Sequence, residues 1–280
     1  MLEHIFQYEF LQNAFLSGIL IGIIAPLLGV FIVVRRLSLI ADALSHVTFA
    51  GIAFSLLLSK NILTFSTLNP IYFGMGFSVA GALFIEKLRS VYKHYEELAI
   101  PIILSAGIGL GVVFISMADG FNTDLFAYLF GSVTAVTRTD LSVIIGVTIF
   151  VLLFIILFFK ELFVLSFDEE HAKASGVSAK LVHFLFILTV ALVISASMRI
   201  VGILLVSSLM TLPVAASIRL ANGFKQTAIL SVILGETAVL IGLFLAYYLD
   251  VAPGGMIVVL SVLILILSIT WTKLKRGKGK

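Results

Sequence analysis

The sequence contains no cysteine, and only 12% of its 280 residues are Asp, Glu, Lys or Arg. The absence of cysteine excludes a disulfide framework, a thiolate zinc site and a thiol nucleophile. The scarcity of charge accompanies 61% apolar residues and a mean hydropathy of +1.21. A water-soluble fold of this length cannot hide so much apolar surface, which excludes a soluble enzyme, a disordered chain and a nucleic-acid-binding module. The composition predicts an all-α, polytopic membrane protein.

Motifs of hydrolases and nucleotide-binding proteins are also missing. The chain has no G-x-x-x-x-G-K-[ST] phosphate loop, no H-E-x-x-H and no G-x-S-x-G, so no known constellation supports an enzyme. We therefore predict that the chain is not an enzyme and has no permanently bound cofactor.

Apolar runs of about 20 residues, long enough to cross a bilayer, recur along the whole chain. We predict about nine membrane-spanning helices, a short re-entrant or interfacial helix near 123–136, and one transmembrane domain over 1–280. The predicted spans are 13–34, 38–58, 69–86, 99–118, 141–159, 181–197, 200–218, 227–249 and 255–272.

Basic residues are strongly biased to one side of these spans. With the C-terminus inside, only Lys60, Arg138 and Arg199 of the 18 Lys and Arg residues fall outside. Because cytoplasmic loops collect Lys and Arg, this predicts an N-terminus outside and a C-terminus in the cytoplasm. We expect Arg199 to extend towards the outer surface, and His183 to be solvated near the inner one.

Three ionisable residues fall inside the spans, where such groups are costly and mark function. Asp42 and His46 are four residues apart and share a helix face. Glu236 lies at a similar distance from the inner boundary, about 16 Å against about 15 Å for His46 at the rise of a helix. Oxygen, nitrogen and oxygen donors suit zinc or manganese. The alternatives are a structural Asp42–His46 pair, and a protonated Glu236 or a proton relay.

The loop from Lys160 to Lys180 predicts a short cytoplasmic helix near 168–176. Asp168 suits the N-cap, Glu169 and Glu170 suit the positive first turn, and Gly176 suits the stop. This helix is either an ordinary solvated loop helix or a docking element for a cytoplasmic partner.

Long stretches of the sequence resemble the zinc/manganese ABC transporter permeases, most closely the zinc branch of Gram-positive bacteria. The stretch that includes Arg35-Arg36, Asp42 and His46 carries the strongest similarity. The matching stretches are Ala25–Ala53, Asp124–Gly131, Phe167–Gly176, Val201–Val206, Leu212–Ala216 and Gly242–Gly255.

The resemblance implies the membrane subunit of an importer in the bacterial cell membrane, with zinc as the transported substrate and manganese as the alternative. It implies a second copy of the chain, two cytoplasmic ATPase subunits and an extracytoplasmic metal-binding protein as partners. Asp42 and His46 match its metal-binding pair. Glu236 is less general in such permeases, and its presence together with Arg35-Arg36 is what resembles the zinc branch. Its ATPase-coupling helix falls on Asp168, Glu169, Glu170 and Gly176.

Two other function classes fit the residues less well. In a proton-coupled secondary transporter, Asp42, His46 and Glu236 would carry protons, but such folds often have repeated halves, and we find no internal repeat. A membrane scaffold would not need three ionisable groups at the membrane midplane.

Overall fold

The chain is a bundle of helices joined by short turns. The computed structural model describes residues 7–62, 68–118, 120 and 123–277, and within these ranges it has no β-strand. This confirms the predicted all-α fold. The helices are α1 (Glu9–Val34), α2 (Ser38–Asn61), α3 (Pro70–Val91), α4 (Ala99–Met117), α5 (Thr123–Phe130), α6 (Arg138–Leu157), α7 (Phe159–Phe167), α8 (Glu169–Ala174), α9 (Ala179–Val201), α10 (Ile203–Leu220), α11 (Phe224–Leu249) and α12 (Pro253–Gly277).

Eight helices in the described ranges are long and apolar enough to cross a membrane. They are α1, α2, α3, α4, α6, α9, α11 and α12. The remaining predicted span, 200–218, corresponds to α10, whose apolar part, Leu205–Leu220, is shorter. The multi-pass architecture is therefore confirmed.

Gly202 separates α9 from α10 with a single residue. Its φ is +84°, a conformation that residues with a Cβ rarely adopt. A Cβ there would also lie 2.5 Å from the carbonyl oxygen of Leu129, at the end of α5. The break therefore needs glycine, and it brings the short α5 against both α9 and α10. The predicted short helix near 123–136 ends at Phe130, and the chain continues without helix to Thr137.

Burial divides the helices into a core and a periphery. In the most apolar stretches of α2 and α9, 72% of residues are buried within the chain, against 22% for α4 and α12. Apolar residues on the exposed helix faces suit a surface in contact with lipid rather than water. Several core hydroxyls bond back to the preceding turn of their own helix, as Ser195 does to the carbonyl of Ala191 and Ser197 to that of Val193.

The predicted loop from Lys160 to Lys180 contains one helix more than expected. The additional helix is α7, which places Phe159, Phe163 and Phe167 on one face at intervals of four residues. All three rings contact Phe224, at centroid distances of 6.3, 5.1 and 6.0 Å. The tertiary contact with Phe224 gives the segment an apolar partner that its own sequence does not reveal.

Candidate functional site

Asp42 and His46 lie on one face of α2, as their spacing predicts. Between residues 40 and 53, every residue is buried except Asp42, His46 and Val47, which are partly exposed. Residues four apart on a helix face the same side, so the two groups are placed to approach one cation together. This part of α2 is therefore largely buried, and the carboxylate of Asp42 and the imidazole of His46 are its polar groups that remain partly exposed.

Close packing with α4 fixes this part of α2. A Cβ on Gly107 would lie 2.8 Å from the backbone nitrogen of Val47 and 3.0 Å from the carbonyl carbon of His46. Only a residue without a side chain permits that approach. The position of His46 is therefore set by backbone contact between two helices rather than by a flexible loop.

Glu236 lies on another helix, α11, against α1. A Cβ on Gly22 would collide with its carboxylate, so Gly22 provides the space that the side chain occupies. The Oε2 atom of Glu236 is buried and has no hydrogen-bond partner among the described residues. A buried carboxylate oxygen without a donor costs free energy unless a proton, a cation or a partner satisfies it.

The single chain does not gather the three residues around one point. Helix α11 packs on α1, α10 and α12, while α2 packs on α3, α4, α9 and α10. In the part of the chain that the structure describes, no three His, Asp or Glu side chains are grouped closely enough to hold a metal ion. Asp42 and His46 are adjacent, and Glu236 stands apart from them.

Helix α8 has the caps that the sequence predicts. The Asp168 side chain accepts a hydrogen bond of 2.8 Å from the backbone N–H of His171. After the helix, Gly176 adopts a φ of +83° and its N–H donates to the carbonyl of Lys173. Ala172 is fully buried, which attaches one side of this short helix to the bundle.

The charges of α8 are exposed and partly paired. Glu169 forms an ion pair of 2.9 Å with Lys173. The hydrogen bond from Lys173 is the largest contribution that lowers the pKa of Glu169. Glu170 is exposed as well, so α8 presents acidic side chains at the surface where α1, α3 and α9 also have an end.

That surface, which we call the basic end, contains a buried group of charges. Burial lowers the pKa of Arg35, which follows α1, to about 10, although the charge of Glu169 opposes the shift. Arg35 donates to Nδ1 of His183 at 2.6 Å, and Arg89 contacts Nε2 of the same ring. His183 is only 6% exposed. The expectation of a solvated His183 is therefore wrong, because Arg35 after α1 and Arg89 near the end of α3 occupy both of its ring nitrogens.

The opposite end, which we call the Asp140 end, holds a second buried network. The Asp140 side chain, fully buried, accepts hydrogen bonds from Asn69 at 2.9 Å, from Thr137 at 2.7 Å and from Arg199 at 3.0 Å. Arg199 also donates to the Tyr128 hydroxyl at 2.7 Å. Arg199 therefore turns inward to Asp140 instead of extending to the surface, which corrects the sequence expectation.

Sequence reasoning did not single out Asp140. Its one local signal is the capping box that it forms with Thr137 at the start of α6. That pattern predicts a helix start, but it carries no information on Arg199, which lies 59 residues away in the chain.

Residues 7–272 match the family described as the ABC 3 transport family. The chain belongs to the ABC 3 transport family. A relative in Streptococcus gordonii, the "Manganese import system permease protein ScaB", is 37% identical over 267 residues, which are 95% of this chain and 93% of that protein.

A second relative and a solved structure match over similar lengths. The "Manganese transport system membrane protein MntC" of Listeria monocytogenes is 33% identical over 264 residues, 94% of this chain and 91% of that protein. The solved structure titled "PsaBC from Streptococcus pneumoniae in complex with Fab" has a TM-score of 0.83 and 34% identity, and it covers 98% of both chains.

Family membership confirms part of the sequence interpretation. The chain is a multi-pass membrane protein of an ABC transporter family, and its role is transport rather than catalysis. The resemblance to ABC transporter permeases is confirmed at this level. The zinc branch stays a prediction, and the printed names of both relatives specify manganese.

Proposed function

We propose that this chain is the membrane-spanning permease subunit of an ABC importer for a divalent transition metal ion, with manganese as the main substrate. The observation that carries this proposal is end-to-end similarity to proteins named as manganese import permeases, at more than 90% coverage of both chains. The whole chain, 1–280, would form a single permease domain, of which 1–6, 63–67, 119, 121–122 and 278–280 lie outside the described residues.

Zinc is the second candidate, and the donor set of the chain favours it as much as manganese. Asp42, His46 and Glu236 offer oxygen and nitrogen donors without sulfur, which both metals accept. Sites of this kind generally bind zinc more tightly than manganese. A manganese importer must therefore obtain its selectivity from geometry, and in part from the protein that delivers the metal.

Two ligands from one α2 helix are too few for a closed metal site. A second copy of the chain would supply a second Asp42–His46 pair, which is one reason to propose that the permease acts as a homodimer. Glu236 would not belong to this paired site. Its orphaned carboxylate, between α1 and α11, is a candidate for a further ligand or a relay on the path of the ion.

The basic end would face the cytoplasm, with the N-terminus outside. Helix α8, which is acidic and capped, would be the docking helix for the ATPase, of which the importer would have two subunits. The docking surface would consist of Asp168, Glu169, Glu170 and Gly176. The opposite, Asp140 end would receive an extracytoplasmic metal-binding protein. The bias of Lys and Arg along the chain supports this orientation.

The deciding experiment measures uptake of manganese and of zinc in cells that lack their own importers. Asp42→Asn and His46→Ala should each lower manganese uptake at least about tenfold at matched expression, as expected for the loss of a metal ligand. Asp250→Asn is the matched control, because Asp250 is exposed after α11, in a left-handed conformation that Asn accepts.

Each result has a defined meaning. Normal uptake of both metals by the Asp42 and His46 variants would overturn the proposed site. Preference for zinc over manganese in the unmodified protein would mean that zinc, not manganese, is the main substrate. Wild-type uptake by Glu236→Gln would remove Glu236 from the pathway and leave the α2 pair in place, because the amide keeps the shape of the side chain but not its charge.

A further inference from the structure

A cavity of about 820 Å³ opens at the basic end between α3, α8 and α9. Its volume falls in the range of small-molecule sites, roughly 300–1,000 Å³. The proposed metal ligands Asp42, His46 and Glu236 are not among its lining residues. The cavity therefore lies apart from the proposed metal site, although Glu169 of the proposed ATPase-docking helix lines one side of it.

The charged lining of the cavity has a surplus of cations. Of its three acidic groups, Glu96 pairs with Arg89 at 2.7 Å and Glu169 pairs with Lys173 at 2.9 Å. The third, Glu86, lies 3.8 Å from Arg89 and 3.6 Å from His183. Three further lysines line the cavity, and in the described ranges none of them has an ion pair. They are Lys87, Lys93 and Lys180. Three solvated ammonium groups around one opening favour an anionic ligand.

The floor of the cavity points to an anion as well. His183 lines it and is held between the guanidinium groups of Arg35 and Arg89. Arg89 also lines the cavity, so its guanidinium adds a positive charge to the floor, whereas Arg35 lies outside the lining. Two guanidinium groups at the two ring nitrogens exclude a metal ion on His183.

One wall of the cavity is apolar and open to the outside of the bundle. Leu83 and Leu181 are 50% and 55% exposed. Leu83 lies one turn before Lys87 on α3, and Phe184 lies one turn after Lys180 on α9, so both helices change from apolar to basic at the same level. This is the arrangement expected where acyl chains give way to headgroups.

We propose that this cavity binds the phosphate headgroup of an anionic phospholipid, with the acyl chains along Leu83, Leu181 and Phe184. Basic pockets between membrane helices on the cytoplasmic side recognise such headgroups. The proposal rests on the orientation given under the proposed function, and it does not depend on which metal is transported. The bound lipid would contact both α3 and α8, and so would connect the bilayer to the proposed ATPase-docking helix.

The test uses the purified full-length protein in detergent, delipidated and then exposed to phosphatidylglycerol or phosphatidylcholine of equal chain length. Native mass spectrometry counts the lipids that remain bound. We expect phosphatidylglycerol to be retained in preference to phosphatidylcholine. The combined variant Lys87→Gln, Lys93→Gln and Lys180→Gln should lose this preference, because each basic group near a headgroup contributes roughly fivefold.

The control variant, Lys273→Gln with Lys275→Gln, removes basic groups from the same side of the chain but outside the cavity. It should keep the preference for phosphatidylglycerol. Equal retention of both lipids by the unmodified protein, or an equal loss in the control variant, would overturn the proposal.

Two other outcomes would identify a different occupant and overturn the lipid. Displacement of phosphatidylglycerol by inorganic phosphate alone would indicate a soluble anion. Unchanged lipid retention together with lost ATPase co-purification in the cavity variant would indicate that the ATPase covers the cavity. Because lipid retention is measured without metal or transport, failure here leaves the proposed transport function untouched, and failure of metal uptake leaves this proposal untouched.

Discussion

At the Asp140 end of the bundle, a buried carboxylate and a largely buried guanidinium satisfy each other. Both oxygens of Asp140 accept hydrogen bonds, and Arg199 donates to Asp140, to the Tyr128 hydroxyl and to the carbonyl of Ala135. At the basic end, two arginines approach one histidine. The Nη1 of Arg35 and the Oε2 of Glu86 are both buried there without a hydrogen-bond partner among the described residues.

The Asp140 end is held by a complete hydrogen-bond network, whereas the basic end contains buried polar atoms that have no partner among the described residues. A fully connected buried network fixes the elements that contribute to it, and here it connects α3, α5, α6 and α9. Buried polar atoms without partners are costly, so the basic end gains stability from whatever supplies an acceptor to Arg35.

The largest effect is expected from breaking the satisfied network with Asp140→Asn. This change leaves the Arg199 charge buried without its counterion, and removing one partner of a buried ion pair costs about 3–5 kcal/mol. The measurement is the thermal unfolding midpoint of the purified protein in one detergent. Glu9→Gln is the control, because Glu9 pairs with Arg138 on the same end but both side chains are exposed, and such pairs contribute about 0–1 kcal/mol. A midpoint for Asp140→Asn no lower than that of Glu9→Gln would remove the contrast between the ends.

A smaller effect is expected from His183→Gln at the basic end. A neutral histidine has one acceptor nitrogen, so it cannot accept from both Arg35 and Arg89, whereas an amide oxygen can accept twice and the amide nitrogen can donate to Glu86. We expect the stability to change by no more than about 1 kcal/mol in either direction, the net value of a typical hydrogen bond. The same midpoint measurement applies. A loss as large as that of Asp140→Asn would mean that His183 is a satisfied group and that the two ends are alike.

The smallest effect on stability is expected from Glu169→Lys combined with Glu170→Lys on α8. Both side chains are exposed, so the unfolding midpoint should hardly move, although co-purification of the proposed ATPase should be lost. Glu97→Lys is the control, since Glu97 is an exposed acid at the same end but outside α8. Full ATPase binding by the α8 variant would contradict its proposed role as the coupling helix.

Local signals were sufficient for much of the site and the fold. Length and hydropathy predict the spans, the spacing of Asp42 and His46 predicts their common helix face, and Asp168 and Gly176 predict the ends of α8. Each of these depends on residues within about one or two helical turns. The contacts that sequence reasoning missed all join distant segments: α7 to Phe224, His183 to Arg35 and Arg89, and Arg199 to Asp140.

The sequence by itself determined that this protein lies in a membrane, because 61% apolar residues and few charges leave no water-soluble alternative. It also predicted most of the long helices with their approximate limits, and it named Asp42, His46 and Glu236 as candidate metal ligands. Only the tertiary structure decided which charges are neutralised inside the bundle. A guanidinium in a low-dielectric interior is stabilised by whichever carboxylate or hydroxyl the packing brings within 3 Å, and that choice depends on helix contacts that no local pattern records.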